Sequence, residues 1–297
     1  MPERRRVVLV TGATGFVARG LVERLAKRFR IIGLARRKER TFPLADVEWV
    51  VADLREPYLG KGLPEHLDHI VHVATIPPSW PKQDPHEIFC VNTLSTLDLL
   101  EIGKRKGLRS FILISTGAVC GFGNRAHWED SAINPNSFYA LTKWQAEELV
   151  SSYESKFTGV ILRLFFPYGP GQVRNLIPSL IERVLSGETV ARNEGGRPRI
   201  NPIYLGDAQR ALERALLLKE SAVVNIAGDE QISVADLALR IGGLLGKKPR
   251  FVDSGEKVGD LLGNNSRMKR LLSVTPKVSL HEGLRRTVEN WMLDYGV

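Results

Sequence analysis

Cysteines and long apolar runs are scarce in this chain, and their scarcity excludes several classes of protein. Only two of the 297 residues are cysteines, Cys90 and Cys120. They are too few for a disulfide framework and show no metal-ligand spacing, so we expect neither a disulfide-rich secreted domain nor a metal site. No apolar stretch approaches the length of a membrane-spanning helix, and the basic start is followed by a strand-like segment instead of a signal-peptide core. We therefore expect a cytoplasmic protein that has no contact with membranes.

The net charge of +9 does not indicate a nucleic-acid-binding protein. Acidic residues are interspersed along the whole chain, and no aromatic residues interleave with the basic runs. A basic surface also attracts phosphorylated small molecules by electrostatic steering. We therefore expect an anionic small-molecule substrate and no nucleic acid.

The first motif is a strand, a glycine-containing turn and a helix. Val7 to Val10 form a continuous aliphatic run, which is typical of a strand buried on both faces. Gly12 and Gly15 follow, with Ala18 at the third position of the dinucleotide-binding fingerprint. A helix is predicted from about Phe16 to Arg28, and its free N–H groups would bind the pyrophosphate of a dinucleotide.

Strand and helix patterns then alternate through the first two-thirds of the chain. This alternation predicts an α/β fold, a Rossmann-type doubly wound parallel sheet with a smaller C-terminal substrate-binding lobe. We place the dinucleotide-binding domain at residues 1–170 and the lobe mainly at 171–297, with some segments returning to the first domain. The other predicted elements are strands at about Arg30–Ala35, Glu48–Val51, His69–Ala74, Ser110–Ser115 and Gly159–Phe165 and helices at about Pro85–Lys106 and Ser137–Lys156.

The second motif carries proton chemistry. Tyr139 and Lys143 are four residues apart on a predicted helix and therefore share one face. A tyrosine with a pKa of about 10 is a weak acid–base group at neutral pH, and a neighbouring ammonium lowers that pKa. A hydroxyl at the carboxyl end of the strand before this helix would orient the substrate oxygen, and strand alternation leaves either Ser115 or Thr116 for that role.

These segments resemble the extended short-chain dehydrogenases/reductases of the NAD(P)-dependent epimerase/dehydratase family. The matching segments are Thr11-Gly-Ala-Thr-Gly15, Asp53-Leu54, His72-Val-Ala-Thr75, Val91-Asn92, Ser115-Thr-Gly-Ala-Val-Cys-Gly121 and Leu162-Arg-Leu-Phe-Phe-Pro-Tyr-Gly-Pro170. The resemblance covers nearly the whole chain and assigns the orienting hydroxyl to Thr116. It implies hydride transfer at nicotinamide C4, with Tyr139 as acid–base group and Lys143 on the nicotinamide ribose.

The resemblance also implies binding sets and an oligomer. The catalytic set is Tyr139, Lys143 and Thr116. The cofactor-binding set is Gly12, Thr14, Gly15, Phe16, Val17, Arg36, Arg37, Asp53, Leu54, Val73, Ala74, Asn92, Tyr139, Lys143 and Phe166. The substrate-binding set is Thr75, Thr116, Gly117, Ala118, Asn175, Arg199 and Arg267. The family further implies a homodimer through a four-helix bundle.

The chain departs from the family pattern at the cofactor ribose. Its second strand ends in Ala35 and is followed by Arg36 and Arg37, with no carboxylate placed to bind the 2′-hydroxyl of NAD. Two guanidinium groups suit the 2′-phosphate of NADP. We therefore predict NADP as the preferred cofactor and NAD as the alternative.

Other departures concern the substrate. Phe166 occupies the position of a family asparagine, and the two arginines that commonly bind the diphosphate fall at Ile200 and Lys257. Asn175, Arg174, Arg199 and Arg267 are candidates to compensate. The segment after Thr116 lacks the Asp-Glu pair of the 4,6-dehydratases, so dehydration is disfavoured.

Four functions remain open at this point. We favour hydride transfer at a sugar carbon of a nucleotide-activated 4-keto sugar, with net reduction indicated by the NADP preference. The alternatives are a nucleotide-sugar 4-epimerase that retains NAD, a reductase of a non-nucleotide ketone or aldehyde, and a non-catalytic cofactor-sensing protein.

Overall fold

The computed structural model describes residues 5–44, 46–56, 62–78 and 84–296. The chain divides into two compact units, each assembled from several segments. The first unit contains Met1–Val119, Pro135–Arg163 and Gln209–Val224. The second contains Cys120–Asn134, Leu164–Ala208 and Asn225–Val297.

Strands and helices alternate along most of the described chain. The strands are β1 (Val7–Thr11), β2 (Arg30–Ala35), β3 (Val47–Val51), β4 (His69–His72), β5 (Ser110–Thr116), β6 (Thr158–Leu164), β7 (Pro167–Tyr168), β8 (Thr189–Arg192), β9 (Arg199–Ile200), β10 (Ile203–Tyr204), β11 (Ala222–Ile226), β12 (Ile232–Ser233) and β13 (Arg250–Asp253). The helices are α1 (Phe16–Ala26), α2 (Pro85–Phe89), α3 (Ser95–Arg105), α4 (Phe138–Ser152), α5 (Leu176–Ser186), α6 (Leu205–Ala215), α7 (Val234–Leu245), α8 (Ser266–Leu272) and α9 (Leu280–Tyr295).

Seven strands form the main sheet, in the order β11-β6-β5-β4-β1-β2-β3. The pairs β1–β2, β2–β3, β1–β4 and β4–β5 are parallel. The strand order reverses beside β1, because the chain goes first to β2 and then to β4 on the other side. This arrangement confirms the predicted doubly wound Rossmann-type fold. Sheets of this kind bind ligands at the carboxyl ends of the strands next to the reversal.

The core of the first unit consists of strand residues and the helices that cover them. Every residue of β1 is buried, as its uninterrupted aliphatic sequence predicts. The core residues are Val7, Leu9, Ile32, Leu34, Leu54, Leu63, Leu67, Ile70, Val91, Leu99, Leu100, Ile102, Leu108, Phe111, Leu113, Ala146, Val150, Phe157 and Ile161.

The helix predicted from about Pro85 to Lys106 is interrupted. Asp84 caps its start by accepting a hydrogen bond from the His86 N–H, and Pro85 occupies the first turn, where no intrahelical N–H bond is needed. Cys90–Leu94 then form a π-helical turn between α2 and α3. Such turns contain an extra residue and frequently occur at functional sites.

Two other elements end earlier than the sequence predicts. Helix α4 begins after Ser137, whose side chain accepts a hydrogen bond from the Ala140 N–H, and it ends at Ser152 instead of near Lys156. Strand β4 ends at His72 because the backbone N–H groups of Ala74 and Ile76 donate to the side chains of Thr11 and Asn92 instead of to a neighbouring strand.

The second unit has a separate core around α5, α7 and α9. Leu280, Leu284 and Val288 of α9 are buried in it and Trp291 packs against it, as their helical spacing predicts. The C-terminal glycine cap of α7 is Gly246, in the left-handed conformation. Among the described residues, no helix of either unit is both long enough and apolar enough to cross a membrane.

Candidate active site

The turn after β1 brings two backbone segments unusually close together. Gly12 has a φ of +61°, and a Cβ placed on it would lie 2.8 Å from the Cα of Ala74. Gly15 donates to the Gly12 carbonyl at 2.9 Å and precedes α1 without adding a side-chain cap. Because glycine has no side chain, Gly15 leaves the first N–H groups of α1 without a side-chain cap. This is the arrangement that binds phosphate at a helix N-terminus.

A buried hydrogen-bond chain supports this turn from below. The Ala74 N–H donates to Thr11 Oγ1, which lies 2.7 Å from His72 Nδ1. On the other side of the ring, Nε2 is 3.4 Å from Ser95 Oγ, and Ser95 donates to the Val91 carbonyl. The chain fits a neutral imidazole that accepts at Nδ1 and donates at Nε2. Burial, together with the positive charge of Lys143, lowers the pKa of His72 to about 3.

We expect this neutral histidine to make the protein less stable in acid. The pKa is lower in the folded state than in the unfolded state, where it is near 6.5, so the unfolded chain binds the proton first. As the pH falls below about 6.5, this one histidine lowers the free energy of unfolding by about 1.4 kcal/mol for each pH unit, until the pH reaches the folded-state pKa. Urea unfolding between pH 7 and pH 5 measures the slope, which should be smaller in His72→Asn.

Replacement of the exposed His281 by asparagine provides the control, because it removes an imidazole that is not part of the buried hydrogen-bond chain through His72. Equal slopes in the wild type and in His72→Asn would contradict the prediction. The buried His69 is expected to contribute in the same direction, because burial lowers its pKa to about 4.

The carboxyl end of β2 presents positive charge. Arg36 and Arg37 directly follow Ala35, and both are exposed. The nearby carboxylate of Asp53 is bound by Arg55 through both of its oxygens. Hydrogen bonds from Arg55 lower the pKa of Asp53, with a smaller contribution from the charge of Arg36. Because Asp53 is paired with Arg55, it does not cancel the charge of Arg36 and Arg37.

Tyr139 and Thr116 come together as the alternation of β5 requires. Thr116 is half-buried and accepts a hydrogen bond from the Ala118 N–H, whereas Ser115 points the other way and donates to Glu147. The Tyr139 hydroxyl is enclosed, and burial raises its pKa, while hydrogen bonding with Thr75 and Thr116 lowers it. The net direction is upward, opposite to the one predicted from the Tyr–Lys spacing, because burial disfavours the phenolate in this structure.

Lys143 lies one turn further along α4 and is 1% exposed. Its Nζ is buried without a hydrogen-bond partner among the described residues. Burial lowers the pKa of Lys143 to about 8, and the negative charge of Glu147 acts in the opposite direction. A buried ammonium without partners is costly unless a ligand supplies acceptors, so this atom marks a binding position.

Asn92 connects the π-helical turn to the segment after β4. Its Oδ1 accepts from Thr75 Oγ1 and from the Ile76 N–H, both at 2.9 Å, and its Nδ2 donates to Thr142 Oγ1 on α4. Asn92 is fully buried. It therefore fixes the position of Thr75 beside Tyr139. Asn92 and Thr75 both belong to the binding sets expected from the sequence, but their residue types and spacing give no sign of their contact with each other.

The remaining first-unit residues of the binding sets lie on the strand ends and turns of the same unit. Gly117 is buried and Ala118 half-buried, directly after Thr116, and Leu54 is buried beside Asp53. Val73 lies between His72 and Ala74. Thr14, Phe16 and Val17 are half-buried at the turn and at the first residues of α1.

Two predicted residues of the second unit have unusual backbone conformations. Phe166 has a φ of +46° and Asn175 a φ of +96°. Left-handed conformations are unfavourable for a bulky residue such as Phe, whereas asparagine tolerates them. The asparagine that the family pattern has at position 166 would therefore be strained less than Phe166. Asn175 is exposed at the start of α5.

The two predicted arginines of the second unit are held by buried carboxylates. Arg199 donates from Nε and Nη2 to Asp260 Oδ2, and its backbone N–H donates to Oδ1 of the same side chain. Arg267 Nε lies 3.6 Å from Glu129 Oε2. Asp260, Glu129 and Arg197 are not among the site residues expected from the sequence. Arg197 Nη1 lies 3.6 Å from Asp260 Oδ2. The neighbouring Ile200 is fully buried in the core.

An open cavity of about 650 Å³ also lies in the second unit, between the loops after β8 and β13 and the start of α7. None of the predicted site residues lines it, and its charged Arg192 and Asp253 are paired with each other. We therefore assign no chemistry to it.

Comparison with known proteins gives consistent results. The model of the NAD dependent epimerase/dehydratase family matches residues 8–227. A protein of Bacillus subtilis (strain 168) named as an uncharacterised UDP-glucose epimerase is 28% identical over 308 residues, covering 95% of this chain and 96% of that protein. The dTDP-4-dehydro-6-deoxy-D-allose reductase of Streptomyces bikiniensis is 27% identical over 310 residues and covers 95% of each.

Solved structures agree with the fold. The UDP-glucuronic acid 4-epimerase from Bacillus cereus, in complex with UDP-glucuronic acid and NAD, has a TM-score of 0.86 and 28% identity. The alignment covers 97% of this chain and 100% of that one.

Proposed function

Because the chain belongs to the NAD dependent epimerase/dehydratase family, we propose that it transfers hydride at a sugar carbon of a nucleotide-activated 4-keto sugar. The observation that carries this proposal is the arrangement of Thr116, Tyr139 and Lys143 in the first unit. Two hydroxyls and an unpartnered buried ammonium share one region of α4 and β5. Together they match what a tyrosine-dependent proton transfer next to a bound nicotinamide ribose requires.

The residues present fit a nicotinamide dinucleotide. Gly12 and Gly15 leave the backbone open at the start of α1, where the pyrophosphate would bind, and Lys143 Nζ lacks the acceptors that ribose hydroxyls would supply. When bound, such a cofactor would donate or accept the hydride. The other residues of the cofactor set complete the site in this proposal, with Asp53 and Leu54 beside the adenine.

Tyr139 supplies or removes the proton of the substrate oxygen. Thr116 accepts from the Ala118 N–H, so its own hydroxyl proton is available to the substrate oxygen. Lys143 fixes the ribose, and its charge favours the phenolate once the site is filled. Thr75, Gly117 and Ala118 would surround the sugar.

We further propose that NADP is preferred to NAD. Arg36 and Arg37 are exposed at the end of β2, and the adjacent Asp53 is already paired with Arg55. Guanidinium groups bind phosphate through two parallel hydrogen bonds, which a 2′-hydroxyl does not offer. A preference for NADP favours net reduction of the sugar, because cells keep this cofactor pool reduced.

For the substrate, we propose that Asn175, Arg199 and Arg267 bind the nucleotide diphosphate. Arg199 and Arg267 are each held by a buried carboxylate that leaves part of the guanidinium exposed. The similarity to the Streptomyces bikiniensis reductase and to the Bacillus cereus epimerase supports a nucleotide sugar.

A nucleotide-sugar 4-epimerase is the second candidate, because relatives are named as UDP-glucose epimerases. It would use the same three residues but retain its cofactor and both remove and return hydride at one carbon. Cofactor that remains bound through purification would favour this candidate.

A thermal-shift screen of NADP, NAD and the nucleoside diphosphates, alone and in pairs, tests the proposal. Ligands that bind only the folded state raise its apparent melting temperature. Stabilisation by NADP together with one diphosphate, followed by turnover of the corresponding 4-keto sugar, is the expected result. Stabilisation by cofactor with no response to any diphosphate would contradict a nucleotide sugar and favour a non-nucleotide ketone or aldehyde.

We also propose a cytoplasmic homodimer that pairs through the helices within residues 85–106 and 137–156. Phe89 and Leu94 are large apolar residues exposed on the first of these segments, and burial in a dimer would remove them from water. Light scattering after size exclusion measures the mass, and a monomer at micromolar concentration would contradict the proposal.

A further inference from the structure

A buried carboxylate lies one helical turn beyond Lys143. Glu147 of α4 is 2% exposed, and its two oxygens are bound from two directions. Ser115 Oγ donates to Oε1 at 2.5 Å. Arg163 of β6 donates from Nε to both oxygens at 3.1 Å and from Nη2 to Oε2 at 2.7 Å. Every member of this cluster is at least nine-tenths buried.

The cluster joins β6 to the two elements that carry the proposed chemistry, β5 and α4. Ser115 directly precedes Thr116 on β5, and Glu147 follows Lys143 by one turn on α4. The bond from Ser115 to Glu147 therefore fixes the end of β5 relative to α4. Arg163 holds the carboxylate from the neighbouring strand β6. Side chains this buried lose little further freedom on substrate binding, which is a property of preorganised sites.

Glu147 is also the carboxylate that acts on Lys143. Among the described residues, Lys143 interacts electrostatically with Glu147 on its own helix and with His72 on β4, and Tyr139 precedes it by one helical turn. His72 is neutral because burial lowers its pKa, and Tyr139 is protonated because burial raises its pKa. Among these groups only Glu147 carries a negative charge, and it opposes the loss of the ammonium proton that burial favours.

We propose that Glu147 is a positioning residue, which keeps Lys143 cationic and fixes Thr116 through Ser115, while Arg163 holds the carboxylate in place. The catalytic consequence rests on the function proposed above. The electrostatic part concerns only residues of this chain and is testable without cofactor or substrate.

The direct test is a titration of Lys143 in the cofactor-free protein. Lysine labelled with ¹³C at Cε reports the protonation state by NMR, and the Lys143 signal is assigned by its absence in Lys143→Met. The wild type should titrate near pH 8. In Glu147→Gln, which keeps the shape and removes the charge, the midpoint should fall by about one pH unit or more, because the ammonium loses its nearby counter-charge.

Two variants serve as controls. Glu213→Gln breaks another partly buried ion pair of the first unit, with Arg24, and should leave the Lys143 midpoint unchanged. Ser115→Ala removes the bond to Glu147 but not its charge. It should also leave the midpoint unchanged, while lowering kcat about threefold to tenfold at every pH through the loss of Thr116 positioning.

Turnover provides the second readout. In Glu147→Gln the alkaline limb of the pH profile of kcat should move by about one unit to lower pH. The variant should therefore lose about tenfold in kcat at pH values above the limb and little at pH values below it. If Glu147→Gln does not fold, the double variant Glu147→Gln with Arg163→Met removes both buried charges together. It should move the Lys143 midpoint in the same direction but by less, because the loss of the Arg163 cation offsets part of the loss of the carboxylate.

An unchanged Lys143 midpoint in the folded variant would overturn the electrostatic role. A loss of kcat that is uniform with pH would show a merely structural role, and wild-type kcat in Ser115→Ala would overturn the positioning of Thr116. A shifted midpoint in a protein that turns over no nucleotide sugar would instead refute the proposed function and leave the role of Glu147 intact.

Discussion

Replacing Tyr139 by phenylalanine is expected to lower kcat by a factor of about 10²–10⁴, the contribution typical of a positioned acid–base group. The variant loses one oxygen, which hydrogen bonds with Thr75 and Thr116. No nearby side chain replaces it as an acid, because Lys143 is directed to the ribose in the proposed complex and His72 is neutral and enclosed by Thr11 and Ser95.

The measurement is single-turnover reduction followed by the absorbance of the reduced nicotinamide, together with cofactor affinity. Affinity should change little, since the hydroxyl contributes to proton transfer more than to binding. Tyr153→Phe is the matched control, because it removes a tyrosine hydroxyl that donates to Glu101, outside the catalytic and binding sets. Turnover of Tyr139→Phe within a few-fold of the wild type would contradict the role of Tyr139 as the acid–base group, whereas a wild type that binds cofactor but turns over no substrate would restore the non-catalytic cofactor-sensing protein as a candidate.

The second large effect concerns cofactor choice. Exchange of both Arg36 and Arg37 for alanine is expected to weaken NADPH binding about a hundredfold and NADH binding little. Each charge-assisted contact to a phosphate contributes about 1.5–3 kcal/mol, and 1.4 kcal/mol is about a factor of ten in affinity. The single variants should each lose about tenfold.

Fluorescence titration of both reduced cofactors measures this preference directly. Arg28→Ala removes an exposed arginine from the same unit and controls for the general loss of positive charge. An equal loss for both cofactors would mean that the arginines act only by long-range attraction. Equal affinity of the wild type for both cofactors would refute the NADP preference itself.

The sequence predicts the first unit well where local pattern and geometry coincide. The aliphatic run of β1, the turn at Gly12 and the start of α1 are short-range features, and the structure has them where the pattern places them. The end of β4 is different, since His72 is followed by backbone groups that bond Thr11 and Asn92, which are distant in sequence. A propensity argument has no access to such partners.

The candidate site shows the same division. The Tyr139–Lys143 spacing is visible in the sequence, and the choice of Thr116 over Ser115 needed a resemblance that the alternation of β5 then supports. The Glu147–Arg163 pair was not predicted, because it joins a helix to the next strand and its spacing has no characteristic period. The only signal was a carboxylate four residues after the lysine on the same helix face.

The π-helical turn at Cys90–Leu94 affects how related sequences should be aligned through this segment. One extra residue per turn rotates everything after it by about 100° relative to a regular α-helix. Phe89 and the residues of α3 therefore follow two different helical phases, and a single helical wheel drawn through residues 85–105 would misplace the residues of α3 by about 100° relative to those of α2. Deleting one residue of this turn would restore a uniform phase and move Asn92 away from Thr75. In an alignment, such a deletion is one gap in a helix, yet it would separate proteins with this polar connection from proteins without it.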